Sequence, residues 1–236
     1  MDTLSAMPGN RADGAAPTPA ERGKARAVLN RLIARYPEAQ TALDYENAWQ
    51  LLVVTVMSAQ TTDENVNKVA PGLFARYPTP SDLADANPEE VEELIYSTGF
   101  YRQKTKSIIS LSQDVEEMFD GEIPAELDQL VKLRGVGRKT ASVVLAEVWG
   151  VPAIAVDTHV KRVAQRLGLT RHTDADKIET DLKALYPVGS WSGISMRYIQ
   201  FGRDTCDAQR PRCGECEMFE LCEWPGRFEA AGKLPR

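Results

Sequence analysis

Apolar residues recur at helical spacing along most of this chain, and most runs open on a capping signal and close on a glycine. Thr18-Pro19-Ala20-Glu21 reads as a capping box with proline at the first helical position, leading into Val28, Leu29, Leu32 and Ile33 on one face. Similar starts recur at Thr61 with Glu64, at Asn87-Pro88 with Glu90, and at Thr173 ahead of Ile178 to Leu185. Gly99, Gly121, Gly150 and Gly168 each follow a periodic run, as helix-ending glycines do. Trp49 to Met57 is β-branched enough to pass for a strand, but its length and flanks favour a buried helix. No hairpin dipeptide joins two alternating runs, so the pattern predicts an all-α protein. Residues 1–17 are rich in Gly, Ala and Pro without periodicity and read as a disordered tail, with the fold beginning near Thr18. No repeat and no Pro-rich or Ser-rich linker marks a boundary, and the pattern leaves the domain count open.

At 236 residues the chain buries an ordinary core without needing disulfides. Its longest apolar run, Leu51 to Met57 broken by Thr55, is far too short to span a bilayer, and no charged-then-apolar leader precedes it. The expectation is a soluble, cytoplasmic protein with no membrane partner. A formal net charge of −6 argues at first against a nucleic-acid partner, but the charge is polarised. Residues 132–171 hold Lys132, Arg134, Arg138, Lys139, Lys161, Arg162, Arg166 and Arg171 against Glu147 and Asp157, a window of +6. Residues 81–95 carry six acidic residues and no basic one. Either a basic face meets a polyanion or the charges are solvated helix faces.

The candidate chemistry starts at Leu133-Arg134-Gly135-Val136-Gly137-Arg138-Lys139-Thr140, with Asp157 eighteen residues beyond Lys139. A tight turn through Gly135 and Gly137 aims backbone N–H groups at an anion, and the run from Thr140 to Trp149 adds a helix N-terminus directed at the same spot. The positive end of that helix, neighbouring Arg138 and any burial would disfavour a charged amine at Lys139, and an uncharged amine is a nucleophile. Asp157 precedes the run Val160, Val163, Ala164 and Leu167, where a plain N-cap is its simplest role. His159, two residues on, does not share its helical face, which argues against an Asp–His dyad.

All four cysteines fall together as Cys206-x6-Cys213-x2-Cys216-x5-Cys222. In a reducing compartment such clustering means a metal centre, and spacing alone leaves tetrahedral zinc and a [4Fe-4S] cluster both open. Arg210 and Arg212 flank Pro211 on the loop between the first two cysteines, where a pinned basic loop grips phosphates with little loss of entropy.

Taken together, Ser58-Ala59-Gln60-Thr61-Thr62-Asp63, Leu133 to Leu145, Ala155-Val156-Asp157-Thr158-His159 and the cysteine block resemble the endonuclease III family of DNA glycosylases, within the helix-hairpin-helix superfamily. The likeness spans roughly residues 20 to 225. It implies two helical domains with a cleft between them: a six-helix domain over 41–151 that carries the hairpin, and a cluster domain formed by 18–40 with 152–225, leaving 226–236 as a tail. It also implies a [4Fe-4S] cluster on Cys206, Cys213, Cys216 and Cys222 that is structural and contacts DNA.

The same resemblance assigns roles. Lys139 would attack C1′ of a damaged nucleotide and form a Schiff base that permits β-elimination. Asp157 would stabilise the sugar cation and handle protons. Gln60 would fill the hole left by the flipped base, while Gly135, Gly137 and Arg138 would bind phosphate. Phe100 stands where the family pattern usually has a wedging leucine, and reads either as a stacking wedge or as a core residue. Arg134 stands where many relatives have proline, adding charge beside the phosphate seat and freeing the backbone. The implied activity is a bifunctional glycosylase and lyase that removes oxidised pyrimidines from double-stranded DNA and nicks the abasic site, acting as a monomer. The rivals are a monofunctional glycosylase of the same superfamily and a non-catalytic DNA-binding iron–sulfur protein.

Overall fold

The structure is a computed structural model that describes residues 16–233; the stretch expected to be disordered, 1–17, lies outside them except for Ala16 and Pro17. Among the described residues there are twelve α-helices and no strand: α1 (Pro19–Arg35), α2 (Ala48–Met57), α3 (Asp63–Arg76), α4 (Pro80–Ala84), α5 (Pro88–Ile95), α6 (Tyr101–Phe119), α7 (Leu127–Leu130), α8 (Arg138–Trp149), α9 (Thr158–Arg166), α10 (Ala175–Leu185), α11 (Ile194–Asp204) and α12 (Arg227–Ala230). They fall into two compact units, one of Thr41–Val151 and the other of the chain before and after it.

In the Thr41–Val151 unit, α2 is the central helix. Leu51, Leu52, Val53, Val54 and Met57 have no exposed surface, which explains why the segment lacks an amphipathic period and half reads as a strand. Asn47 caps it by accepting from the Gln50 N–H at 2.9 Å. Helix α6 packs on α2, α4 and α5, and the buried Trp49 indole is satisfied by Ser112 Oγ at 3.2 Å. Helix α4 opens on a capping box, Thr79 with Asp82, that the sequence reading passed over.

Two cap assignments move by one residue. Thr62, not Thr61, caps α3, because Thr61 still belongs to the bend in which Gln60 stands at φ 55°. Asp174, not Thr173, caps α10, accepting from Asp176 and Lys177 N–H at 3.1 Å, while the Thr173 carbonyl is taken by Lys161 Nζ at 2.7 Å. The expected stops at Gly99, Gly121, Gly150 and Gly168 all adopt positive φ.

The other unit gathers α1, α9, α10 and α11 around Leu32, Val160, Val163, Ile178, Tyr198, Phe201 and Met218, and α12 packs on the turn at Cys213–Glu215. Helix α11 crosses α9 at Gly202, where a Cβ would meet Arg162 Nη2 at 3.1 Å and His159 Cβ at 3.2 Å; only a glycine allows that approach without displacement. The hydroxyls of buried Tyr186 and Tyr198 pair at 2.7 Å. The sequence pattern leaves 226–236 as a tail, but the structure has a short helix within it. Residues 227–230 form α12 because Phe228 has an apolar partner in Phe219, edge-on at 5.5 Å, and Arg227 lies 4.3 Å over the Phe228 ring. No helix among the described residues is long and apolar enough to cross a membrane.

Candidate functional site

The hairpin between α7 and α8 is built by three buried apolar anchors. Leu130, Leu133 and Val136 sink into the Thr41–Val151 core, leaving Arg134, Gly135, Gly137, Arg138 and Lys139 at the surface. The Val136 N–H donates to the Leu133 carbonyl at 3.0 Å, closing a four-residue turn whose third residue, Gly135, stands at φ 82°. That position requires glycine. Gly137 differs: it is the N-cap of α8 at φ −83°, and a Cβ there would meet nothing within 4 Å. Its missing side chain leaves open space in front of the first turn of α8, where Arg138 and Lys139 stand, and provides no group to cap that turn.

Arg134 does not add its charge to this seat. Its guanidinium turns back to Asp114 of α6, with Nε and Nη2 at 2.8 and 2.7 Å from Oδ1, while its backbone N–H donates to Oδ2 at 2.7 Å. Burial alone would raise the Asp114 carboxyl, but the Arg134 bonds outweigh it and hold the group below the ordinary carboxylate range. The hairpin is therefore tied to α6 by a carboxylate, and a proline at 134 would forfeit the N–H and the guanidinium together.

Gln60 and Phe100 project from two loops of the same unit, both exposed and both in the left-handed region, at φ 55° and 48°. Phe100 is 69% exposed, which removes the core reading. Beneath it Lys104 is buried and donates from Nζ to the Thr98 carbonyl at 2.7 Å; burial pulls that ammonium below the ordinary lysine value. Asn65, which the sequence reading missed, bonds to both loops.

Asp157 is the N-cap of α9, its Oδ1 accepting from the His159 and Val160 N–H groups at 2.8 Å each. Its other oxygen, Oδ2, lies 3.1 Å from His159 Nδ1, so the two side chains do meet. The helical-face argument fails because a cap residue has extended backbone (φ −107°, ψ −171°) and its side chain folds back over the first turn. One carboxylate thus fixes both the helix start and an imidazole.

The four cysteines line a single cavity with Leu167, Phe201, Met218 and Phe219 in its wall. Burial pushes up the thiols of Cys213, Cys216 and Cys222, that of Cys216 to about 11. Four soft sulfur donors around one apolar cavity suit a metal–thiolate centre, although among the described residues no three His, Cys, Asp or Glu side chains converge at ligand distance. The Cys206–Cys213 loop is also braced by protein groups. Arg166 reaches the Asp207 and Ala208 carbonyls at 2.7 and 3.0 Å and Cys206 Sγ at 3.4 Å, Arg162 reaches the Cys206 carbonyl at 3.0 Å, and Asp207 Oδ1 accepts from the Gln209 and Arg210 N–H groups. Arg210 and Arg212 remain exposed on it. At least half of the basic window 132–171 is therefore structural: Arg134, Lys161, Arg162 and Arg166 all donate to protein acceptors, while Lys132, Arg138, Lys139 and Arg171 are exposed.

Comparison with known proteins gives the relatives of this chain. The family model "HhH-GPD superfamily base excision DNA repair protein" matches residues 53–187. The chain is 49% identical to endonuclease III of Synechocystis sp. over 203 residues, covering 86% of this chain and 93% of that protein. It is 43% identical to endonuclease III of Bacillus subtilis over 209 residues, covering 88% and 95%. Among solved structures it matches a trapped endonuclease III–DNA covalent intermediate with a TM-score of 0.82 at 43% identity, over 86% of this chain and 95% of that one. A thermostable thymine-DNA glycosylase, at 20% identity and TM-score 0.79, shares the fold.

Proposed function

The chain belongs to the HhH-GPD superfamily of base excision DNA repair proteins, in its endonuclease III family, and is a DNA glycosylase and abasic-site lyase; we propose that Lys139 is its nucleophile and Asp157 its catalytic carboxylate. The observation that carries the reading is the exposed Lys139 in the first turn of α8, directly after a turn that only Gly135 can make and an N-cap with no side chain. A phosphate seated on those N–H groups sets a nucleotide beside the amine.

The Lys139 nitrogen bonds to C1′ as the glycosidic bond breaks, and the base departs with a proton. Ring opening of the adduct gives a Schiff base, loss of a C2′ proton follows, and the 3′ phosphate leaves by β-elimination. Asp157 offsets positive charge on the sugar and takes up or returns the proton at the lysine nitrogen or the base. Such a route leaves an adduct that can be trapped, in keeping with the covalent complex of the matched endonuclease III.

The remaining roles follow the chemistry of each group. Gln60 fills the space vacated by an extruded base and offers its amide to the orphaned partner. Phe100 wedges into the stack. Gly135, Gly137, Arg138, Arg210 and Arg212 hold phosphates. Cys206, Cys213, Cys216 and Cys222 would hold a [4Fe-4S] cluster that knots the basic loop and takes no part in base chemistry. The substrate we infer is an oxidised pyrimidine or an abasic site in double-stranded DNA, met by a monomer in the cytoplasm.

Borohydride trapping on abasic and thymine-glycol duplexes tests this. Lys139→Gln is expected to abolish the trapped band. Asp157→Asn, which keeps a good N-cap and hence the start of α9, is expected to slow the reaction by about 10²- to 10⁴-fold. A band that survives Lys139→Gln, or base release without strand cleavage by the wild type, overturns the assignment.

A further inference from the structure

Asn65, in the first turn of α3, spends both ends of its side-chain amide on two loops at once. Its Nδ2 donates to Thr61 Oγ1 at 3.0 Å and to the Ser97 carbonyl at 2.9 Å, and its Oδ1 accepts from Ser97 Oγ at 3.4 Å. Its root is fixed as well, since its backbone N–H donates to Thr62 Oγ1, the cap of α3, at 3.2 Å. Thr61 follows Gln60 directly, and Ser97 lies three residues before Phe100.

Both flanking residues are under conformational constraint. Gln60 and Phe100, the exposed side chains assigned above to the duplex, have φ of 55° and 48°. Residues other than glycine keep that backbone only where the surroundings over-determine it. Lys104 supplies part of this for the Phe100 loop, and the Thr61 N–H to Ser58 carbonyl bond at 3.3 Å supplies part for the Gln60 bend. Asn65 serves both.

We propose that Asn65 is a positioning residue that locks the Gln60 loop to the Phe100 loop, so that gap-filler and wedge enter the duplex as one rigid tool. The proposal rests on the roles given to Gln60 and Phe100 above. Two loops that move independently must each be ordered during base extrusion, whereas a pre-joined pair is ordered when the protein folds. The consequence is energetic coupling between Gln60 and Phe100 that runs through Asn65.

Single-turnover excision of thymine glycol paired with adenine reads this directly. Asn65→Ala is expected to slow excision by about tenfold. Cleavage of an abasic site in single-stranded DNA, with no stack to invade and no partner base, stays within about twofold of wild type, as does the thermal midpoint on the scale of a surface change. Asn65→Asp, which loses both donor bonds, is expected to behave like Asn65→Ala, and Ser97→Ala, which keeps the carbonyl, like wild type.

A cycle of Gln60→Ala and Phe100→Ala completes the test. In wild type the double variant is expected to fall short of the product of the singles by about threefold or more, and in the Asn65→Ala background to equal that product. If both singles are slow but Asn65→Ala excises normally or leaves the coupling intact, the proposal is overturned while the loop roles stand. If Asn65→Ala also loses single-strand cleavage, the residue merely supports the fold and the proposal is overturned. If neither single slows excision, the loop assignment itself is wrong and the role of Asn65 falls with it.

Discussion

Removing the Arg134 side chain asks how the hairpin that presents Lys139 is held in place. The Asp114 side chain is 10% exposed and takes all three of its bonds from Arg134, whose own side chain is 54% exposed. A pair with one solvated partner is worth about 1 kcal/mol, and a backbone N–H bound to a carboxylate about 1.5–3 kcal/mol. Arg134→Ala leaves the carboxylate buried with one donor, and the expected loss is about 2–3 kcal/mol. Asp114→Asn keeps an acceptor for the N–H and releases an arginine that solvent can take, so about 1 kcal/mol is expected. Arg134→Pro removes every donor and should be the worst of the three. The ordering, with the arginine change costing more than the carboxylate change, is the signature of a buried acid that depends on a half-exposed base.

Urea unfolding followed by circular dichroism measures it, with each kcal/mol moving the thermal midpoint by about 2–4 °C in a chain of this size. Acidity supplies a second check. The folded carboxyl lies below its unfolded value, so its contribution is complete above the ordinary range near ~3.9 and disappears as pH falls through the folded value. The gap between wild type and Arg134→Ala should therefore be constant from about pH 5 to 8 and close below about pH 4. An Arg134→Ala loss no larger than that of Asp114→Asn, or a gap unchanged at about pH 3, would refute the reasoning.

The two hairpin glycines separate folding from binding. Gly135→Ala, forced to φ 82°, should lose about 1–2 kcal/mol of stability. Gly137→Ala, with φ −83° and no neighbour within 4 Å, should keep stability within about 0.5 kcal/mol yet weaken abasic-duplex binding several-fold in fluorescence anisotropy; unchanged binding would remove the phosphate from that space. Cys213→Ser should lose the visible thiolate-to-iron absorption and raise hydrogen exchange over residues 204–230 while residues 41–151 keep their protection. A colourless wild-type preparation containing zinc would defeat the cluster assignment.

What the sequence disclosed and what it withheld divide along a physical line. Helix ends stated by one residue's own backbone, such as the capping box at Thr18 and the positive-φ glycines at 99, 121, 150 and 168, are legible because nothing distant is needed to produce them. The left-handed Phe100 and Gln60 are not, since no propensity asks for them and only contacts from elsewhere hold them there. The same division runs through the site. Lys139, Asp157 and the cysteines could be named from local order, but Asp114 is twenty residues from Arg134 and Asn65 thirty-two from Ser97, separations at which no pattern announces a bond. The Asp157–His159 contact escapes a helix-face rule because Asp157 stands just outside the helix, where a cap side chain reaches back across the turn. Charge misleads for a related reason: a count over 132–171 registers cations, not their partners, and four of them are engaged by acceptors of the protein itself. The groups proposed for the chemistry and the cluster are thus the ones sequence exposes most readily. Those that hold them at the right place are set by packing, and whether Asn65 and Asp114 matter to catalysis is where a structure adds to what the motifs already say.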